Sequence, residues 1–174
     1  MKLAVSGYVS AQEGSVASAN ALLLRSLLAD GHEVDFFSKR FRIDARDVVR
    51  ELQKAGLDSI PGGGGEILVQ RVRDLVAHKK AGADRWLEIM EIAHEEGMKT
   101  SVTMMYGIGE TLAERLEHLQ RVRDLQARTH GFTAFICWPL QPENTPTMSH
   151  QPKTDAVDYL RTVAIARIRT LPLE

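Results

Sequence analysis

The sequence contains a single cysteine, Cys137, among 174 residues. One thiol cannot form an internal disulfide, nor can it supply the several thiolates of a zinc or iron-sulfur site, so this chain alone cannot build either. An excess of one charge is missing too. The 22 Lys and Arg nearly cancel the 23 Asp and Glu, and the net charge of -1 leaves no field to draw nucleic acid or an anionic membrane. No apolar run approaches the roughly 20 residues that span a bilayer. The opening "MKLAVSGYVSAQEGS" has no secretory-signal pattern. These absences predict a cytoplasmic protein without nucleic-acid or membrane partners. The six histidines show no metal-ligand spacing, so no metal site is assigned. No internal repeat or low-complexity tract is present beyond one run of glycines.

What the chain does have is alternation. Its length suits one domain, residues 1–174, able to bury roughly 70% of the surface exposed by the unfolded chain. Strand-like segments at 2–10, 32–38, 57–62, 99–107 and 131–142 alternate with helical ones, the pattern of parallel α/β architecture. The fold class expected is five parallel strands alternating with helices, as a partial (β/α) barrel or a Rossmann-like open sheet. Ser15 caps the first predicted helix and Asp44 the second, which ends at Gly56 with Val48, Val49 and Leu52 on its apolar face. A third helix presents Trp86, Ile89, Met90 and Ala93 and stops at Gly97. Thr111 and Glu114 form a capping box opening a fourth, with Leu112, Leu116, Leu119 and Val122 expected inward. The fifth strand, "GFTAFICWPLQP", is nearly continuously apolar and is expected to be buried on both faces. A last helix covers "TDAVDYLRTVAIARIRTL".

In parallel α/β folds, ligands sit at the carboxyl ends of strands, and the unusual residues lie there. "PGGGGE" follows the third strand, "MMYGIGET" the fourth, and "WPLQPENT" the fifth. The glycine run is no P-loop, because no Gly-Lys-Ser or Gly-Lys-Thr follows it. Gly62, Gly63 and Gly64 either let the backbone approach a ligand, with Glu66 as an acceptor, or make a flexible loop. Tyr106 and Glu110 either reach a ligand or serve strand end and helix cap, with Gly107 and Gly109 setting the turn. Trp138, Gln141, Glu143 and Asn144 offer a stacking ring and hydrogen-bonding groups. The basic stretch "RVRDLVAHKK", with Arg71, Arg73, His78, Lys79 and Lys80, reads as a solvated face. His94 and His118 read as surface or boundary residues of their helices.

From about Ile43 to Ile168, "AGLDSIPGGGGEILVQRVRD", "GMKTSVTMMYGIGETLAERLEHLQRVRDLQ", "GFTAFICWPLQPENT" and "DYLRTVAIARI" resemble the later part of radical S-adenosylmethionine enzymes of futalosine-dependent menaquinone biosynthesis, the dehypoxanthine futalosine cyclase group. Residues 1–39 instead resemble the first βαβ unit of a two-Rossmann-domain glycosyltransferase, with a seam near "SKRFRID" before the segment 40–174. The first resemblance implies S-adenosylmethionine and a 4Fe-4S cluster in the family, the cluster held by a Cys-x-x-x-Cys-x-x-Cys loop that this chain does not contain. It also places Glu66, Tyr106, Trp138 and Gln141 in a pocket for a nucleoside-like molecule.

The expectation is a fragment or recombined relative of such a cyclase, without the parental catalysis, with no cofactor of its own and no catalytic residue assigned. The alternative is a non-catalytic chimeric scaffold or a residual nucleotide-binding or nucleoside-binding module. The open edges of an incomplete barrel predict pairing with a second copy or with a complementing barrel fragment.

Overall fold

The computed structural model describes residues 44–170. The first two predicted strands and the Ser15-capped helix lie outside them. The described elements are α1 (Ala45–Lys54), β1 (Ser59–Ile60), α2 (Gln70–Val76), α3 (Ala83–Glu95), β2 (Lys99–Tyr106), α4 (Leu112–Thr129), β3 (Phe132–Pro139), a 3-10 turn (Pro142–Asn144) and α5 (Ala156–Thr170). The three strands form one parallel sheet in the order β1-β2-β3, so the α/β class and the parallel pairing hold here.

Local chemistry sets the helix ends. The Asp44 carboxylate accepts from the Arg46 amide at the start of α1, and both halves of the Thr111–Glu114 capping box are formed at α4. Gly56 and Gly97 follow α1 and α3 at φ +100° and +80°, where a side chain would be strained.

The helices pack against one face of the sheet. Val49 and Leu52 of α1, Trp86, Ile89 and Met90 of α3, Val102 of β2, Val122 and Leu125 of α4, and Phe132 of β3 form one core, in which Trp86 stacks on Phe132 with centroids 6.5 Å apart. A second core joins Ile67, Val72, Met104, Tyr106, Ile108, Leu119 and Leu140. The β2–β3 register runs from Thr100 opposite Phe132 to Tyr106 opposite Pro139, but Ser101 lies opposite Ala134, so Thr133 is an extra residue at a bulge.

Four expectations are corrected. Residues 70–76 form α2, where only a basic loop is foreseen. Leu112 is 70% and Leu116 38% exposed, because they sit at the outward edge of the first turns of α4, leaving Leu119, Val122 and Leu125 to meet the core. β3 is an edge strand among the described residues and is not buried on both faces: Ile136 is 44% and Trp138 49% exposed. His118, expected at a surface or boundary, is fully buried.

Candidate functional site

The glycine run leaves β1 and is tied down by its carbonyls. The Thr103 hydroxyl donates to the Gly62 carbonyl at 2.7 Å, the Trp86 indole N–H to Gly63 at 3.4 Å, and one Arg73 nitrogen to Gly64 and to Gly65, each at 2.9 Å. The Gly62 amide donates to the Ser101 hydroxyl. A Cβ on Gly62 would lie 2.5 Å from Val102 Cα, so glycine is required there for close approach to the neighbouring strand. Gly64 adopts φ +78° and Glu66 φ +32°, the latter a strained angle for a residue with a side chain. These glycines therefore form a fixed loop, in place of the flexible one that the sequence left open.

Arg73 is the residue that sequence reasoning missed. It lies in the basic stretch, yet it is completely buried. Its guanidinium also donates to the Ala81 carbonyl from Nε and Nη2 and lies 3.4 Å from the Glu66 carboxylate. Lys80 approaches the other Glu66 oxygen at 2.7 Å. A fork of five donors suits a hole lined by carbonyls. The only sequence signal was its place three residues after the buried Leu68–Val69 pair, on the inner side of a helix that the loop reading did not foresee.

At the end of β2, Glu110 folds back so that its two oxygens accept from the Gly107 and Ile108 amides, both at 2.8 Å. Gly107 and Gly109 take φ +81° and +99° in that turn. Arg115 donates to Glu110 at 2.7 Å and to Asp158 at 3.1 Å, and its guanidinium lies 4.4 Å from the centre of the Tyr106 ring. Tyr106 is buried beneath it, close to Thr162 but without a well-formed hydrogen bond from its hydroxyl. Burial first, and then the Asp158 carboxylate, push the Tyr106 phenol up to about 12. Arg71 pairs with Glu114 at 2.6 Å and bonds the Gly109 carbonyl, locking this turn to α2. The Arg71 contact, followed by the Thr111 amide, holds the Glu114 carboxyl at about 2.

Trp138 and Gln141 lie at the end of β3 and are exposed. Glu143 faces solvent with Lys153, 2.8 Å away. The register places Met105 beside Trp138 and Thr103 beside Ile136 on the sheet face that the helices do not cover. The structure thus gathers Glu66, Trp138 and Gln141 at the strand ends, whereas Tyr106 and Glu110 are engaged among the helices and the β2 turn. Two clefts open elsewhere: a groove of about 430 Å³ between β3 and α5, lined by Ile136, Cys137, Tyr159 and Val163, and one of about 240 Å³ between α4 and α5. None of the predicted site residues lines either.

Two buried histidines are structural. Thr129 donates its hydroxyl proton to the Leu125 carbonyl, so at 2.7 Å from His94 Nδ1 it must accept. His94 therefore carries its proton on Nδ1 and accepts at Nε2 from Thr100, also 2.7 Å away. Burial lowers this imidazole to about 4. His118 Nδ1 accepts from the Leu68 amide at 3.0 Å, which places its proton on Nε2, where no partner is found. Burial, with Arg121 and Arg73 nearby, lowers it to about 3.

The described residues do not fit an iron-sulfur cluster. Cys137 stands in the middle of β3, half-buried, with its thiol pushed up to about 11 by burial, the reverse of what a thiolate ligand needs. Among the described residues no group of three or more His, Cys, Asp or Glu side chains could hold a metal ion, and no helix is long and apolar enough to cross a membrane.

The family model of the Radical SAM superfamily matches residues 5–122. Over 147 residues the chain is 44% identical to a cyclic dehypoxanthine futalosine synthase of Streptomyces coelicolor, covering 84% of this chain and 36% of that protein. It is 45% identical over 139 residues to an aminodeoxyfutalosine synthase of Thermus thermophilus, covering 78% and 37%. A 5-amino-6-(D-ribitylamino)uracil--L-tyrosine 4-hydroxyphenyl transferase of Methanosarcina acetivorans is 36% identical over 141 residues, covering 78% and 38%. The chain spans little more than a third of the length of these curated relatives. The family match begins at residue 5 and runs through the stretch compared above with glycosyltransferases, and it lends that comparison no support.

Proposed function

The chain belongs to the radical SAM superfamily, and from that premise we propose that it is a piece, or a recombined relative, of a dehypoxanthine futalosine cyclase, supplying one wall of a nucleoside-binding site and performing no cyclisation by itself. The observation that carries this reading is the fixed glycine loop at the end of β1. Its four carbonyls are all engaged, Gly62 lies against the backbone of β2, and Glu66 is held at a strained angle beside it. Strain of this kind persists where the surroundings over-determine it, and it clusters at ligand sites. Glu66, Trp138 and Gln141 would meet the ligand. Tyr106, Glu110 and Arg115 would hold the β2 turn. The family's cluster supplies reductive cleavage of S-adenosylmethionine, and its ligands would have to come from outside the described residues.

A second reading is a non-catalytic scaffold in which the first 39 residues derive from a glycosyltransferase-like unit. It is favoured by the internal partners of Glu66 and Glu110 and by the position of both clefts away from the strand ends. The test is anaerobic treatment with iron and sulfide, assay for 5'-deoxyadenosine, and thermal melts with S-adenosylmethionine and with a nucleoside. The first reading expects no cleavage but a melt raised by several degrees, because a ligand at a hundredfold excess over Kd adds about 2.7 kcal/mol. An unmoved melt favours the scaffold, and 5'-deoxyadenosine from the chain alone would overturn both.

A further inference from the structure

α5 meets the rest of the molecule through a narrow stripe. Thr162, Ala166 and Thr170 are buried at a spacing of four, while Val157 is 53%, Leu160 65% and Ile168 73% exposed. At roughly 100° per residue, Val157, Leu160, Ala164 and Ile168 fall within about 80° of one another on the side opposite Thr162 and Ala166. The helix therefore carries a second apolar stripe facing outward, with intervals of three, four and four residues, the spacing of a helix-packing seam. A helix with apolar residues on both sides is normally covered on both.

The outward stripe is self-complementary. Leu160 stands four residues before Ala164 and Ile168 four residues after it, so two copies of α5 laid antiparallel across a two-fold axis at Ala164 place each Leu160 against the other copy's Ile168. The small Ala164 side chains let the helices approach closely at the crossing. Arg161 and Arg167, both exposed, flank the stripe on opposite sides, where their alkyl stems can cover its edges. Asp158 lies in the first turn and Arg167 and Arg169 in the last. An antiparallel pair sets unlike ends and opposed helix dipoles side by side, whereas a parallel pair would set like ends together.

We propose that this face of α5 is a homodimer interface, occupied by a second copy of the chain in antiparallel register about Ala164. The experiment is sedimentation equilibrium on the 174-residue chain, on Leu160→Glu, on Ile168→Lys and on the double variant, with circular dichroism to verify folding. Both positions are solvent-exposed within one copy and eight residues apart, so they do not pair within a helix. The wild type should dimerise reversibly and each single variant should weaken the dimer more than about tenfold. The double variant should recover it, because the introduced carboxylate and ammonium face each other twice across the axis. A wild type monomeric across the concentration range would overturn the proposal and leave the face to another occupant. A dimer indifferent to the single variants would overturn it in favour of a different surface, and a double variant as weak as the singles would overturn the antiparallel register.

Discussion

Arg73→Met removes the guanidinium from the glycine loop and leaves a side chain of similar length. Replacing a buried ion pair with apolar residues can be neutral or stabilising, but that holds only when both partners are exchanged. Here the partners are the carbonyls of Gly64, Gly65 and Ala81, which no substitution can remove. Each buried carbonyl deprived of its donor costs about 1–3 kcal/mol. Three would sum to more than is expected in practice, because Gly64 is only half-buried and water can reach it, so a loss of about 3–5 kcal/mol is the working figure. That is a large part of the 5–15 kcal/mol typical of a domain. Arg73→Lys keeps the charge but not the fork, and it should fall between the two. Urea unfolding followed by far-UV circular dichroism reads all three proteins. A cost below about 1 kcal/mol for Arg73→Met would refute the claim that this side chain holds the loop.

Two other perturbations test the packing around the histidines. A Cβ on Gly131 would run into the His94 ring, displacing it from Thr129 and Thr100. Gly131→Ala should cost about 2–3 kcal/mol, with a smaller additional cost in a His94→Ala background, as a double-mutant cycle would reveal. The buried histidines should also make the fold acid-sensitive. His118 falls from 6.5 in the unfolded chain to about 3 in the fold, so below pH 6.5 the unfolded chain takes up a proton that the native state refuses. Stability is full above pH 6.5 and falls by about 2 kcal/mol from this residue alone by pH 5. His94, which is more exposed, adds a smaller loss in the same direction. Urea midpoints at pH 7 and pH 5 give the slope, and a flat result, or a slope unchanged in His118→Gln, would count against this reading.

Much of the fold was legible because local chemistry and tertiary packing agree. Asp44, the Thr111–Glu114 box and the glycines after α1 and α3 mark helix ends that the structure shows, and the apolar sets of α1 and α3 are its core. What was not legible depends on partners distant in sequence. Nothing in "RVRDLVAHKK" indicates that three carbonyls wait for Arg73, and a charged run ordinarily means a wet surface. Continuous apolarity in β3 could not reveal which strands flank it. The register of Leu112 and Leu116 follows the helical period, yet their place in the opening turns carries them beyond the sheet. At the strand ends, residue type singled out the loops, but only side-chain direction separates Trp138, facing open space, from Tyr106, buried beneath Arg115.

The extra residue at Thr133 acts as a phase shifter for its strand. Phe132 lies on the helix side beside Trp86 and His94. In an unbroken strand Ala134, Ile136 and Trp138 would share its parity and turn the same way. With Thr133 inserted, and its hydroxyl fastened to the Thr100 carbonyl at 3.1 Å, the count slips by one and those three side chains emerge on the opposite face. Deleting this one residue would force a choice: either Phe132 leaves the core, or Trp138 is swung in among the helices and the open face of the sheet loses its aromatic ring. A strand of eight residues therefore carries two incompatible addresses, and a single threonine allows both to be delivered.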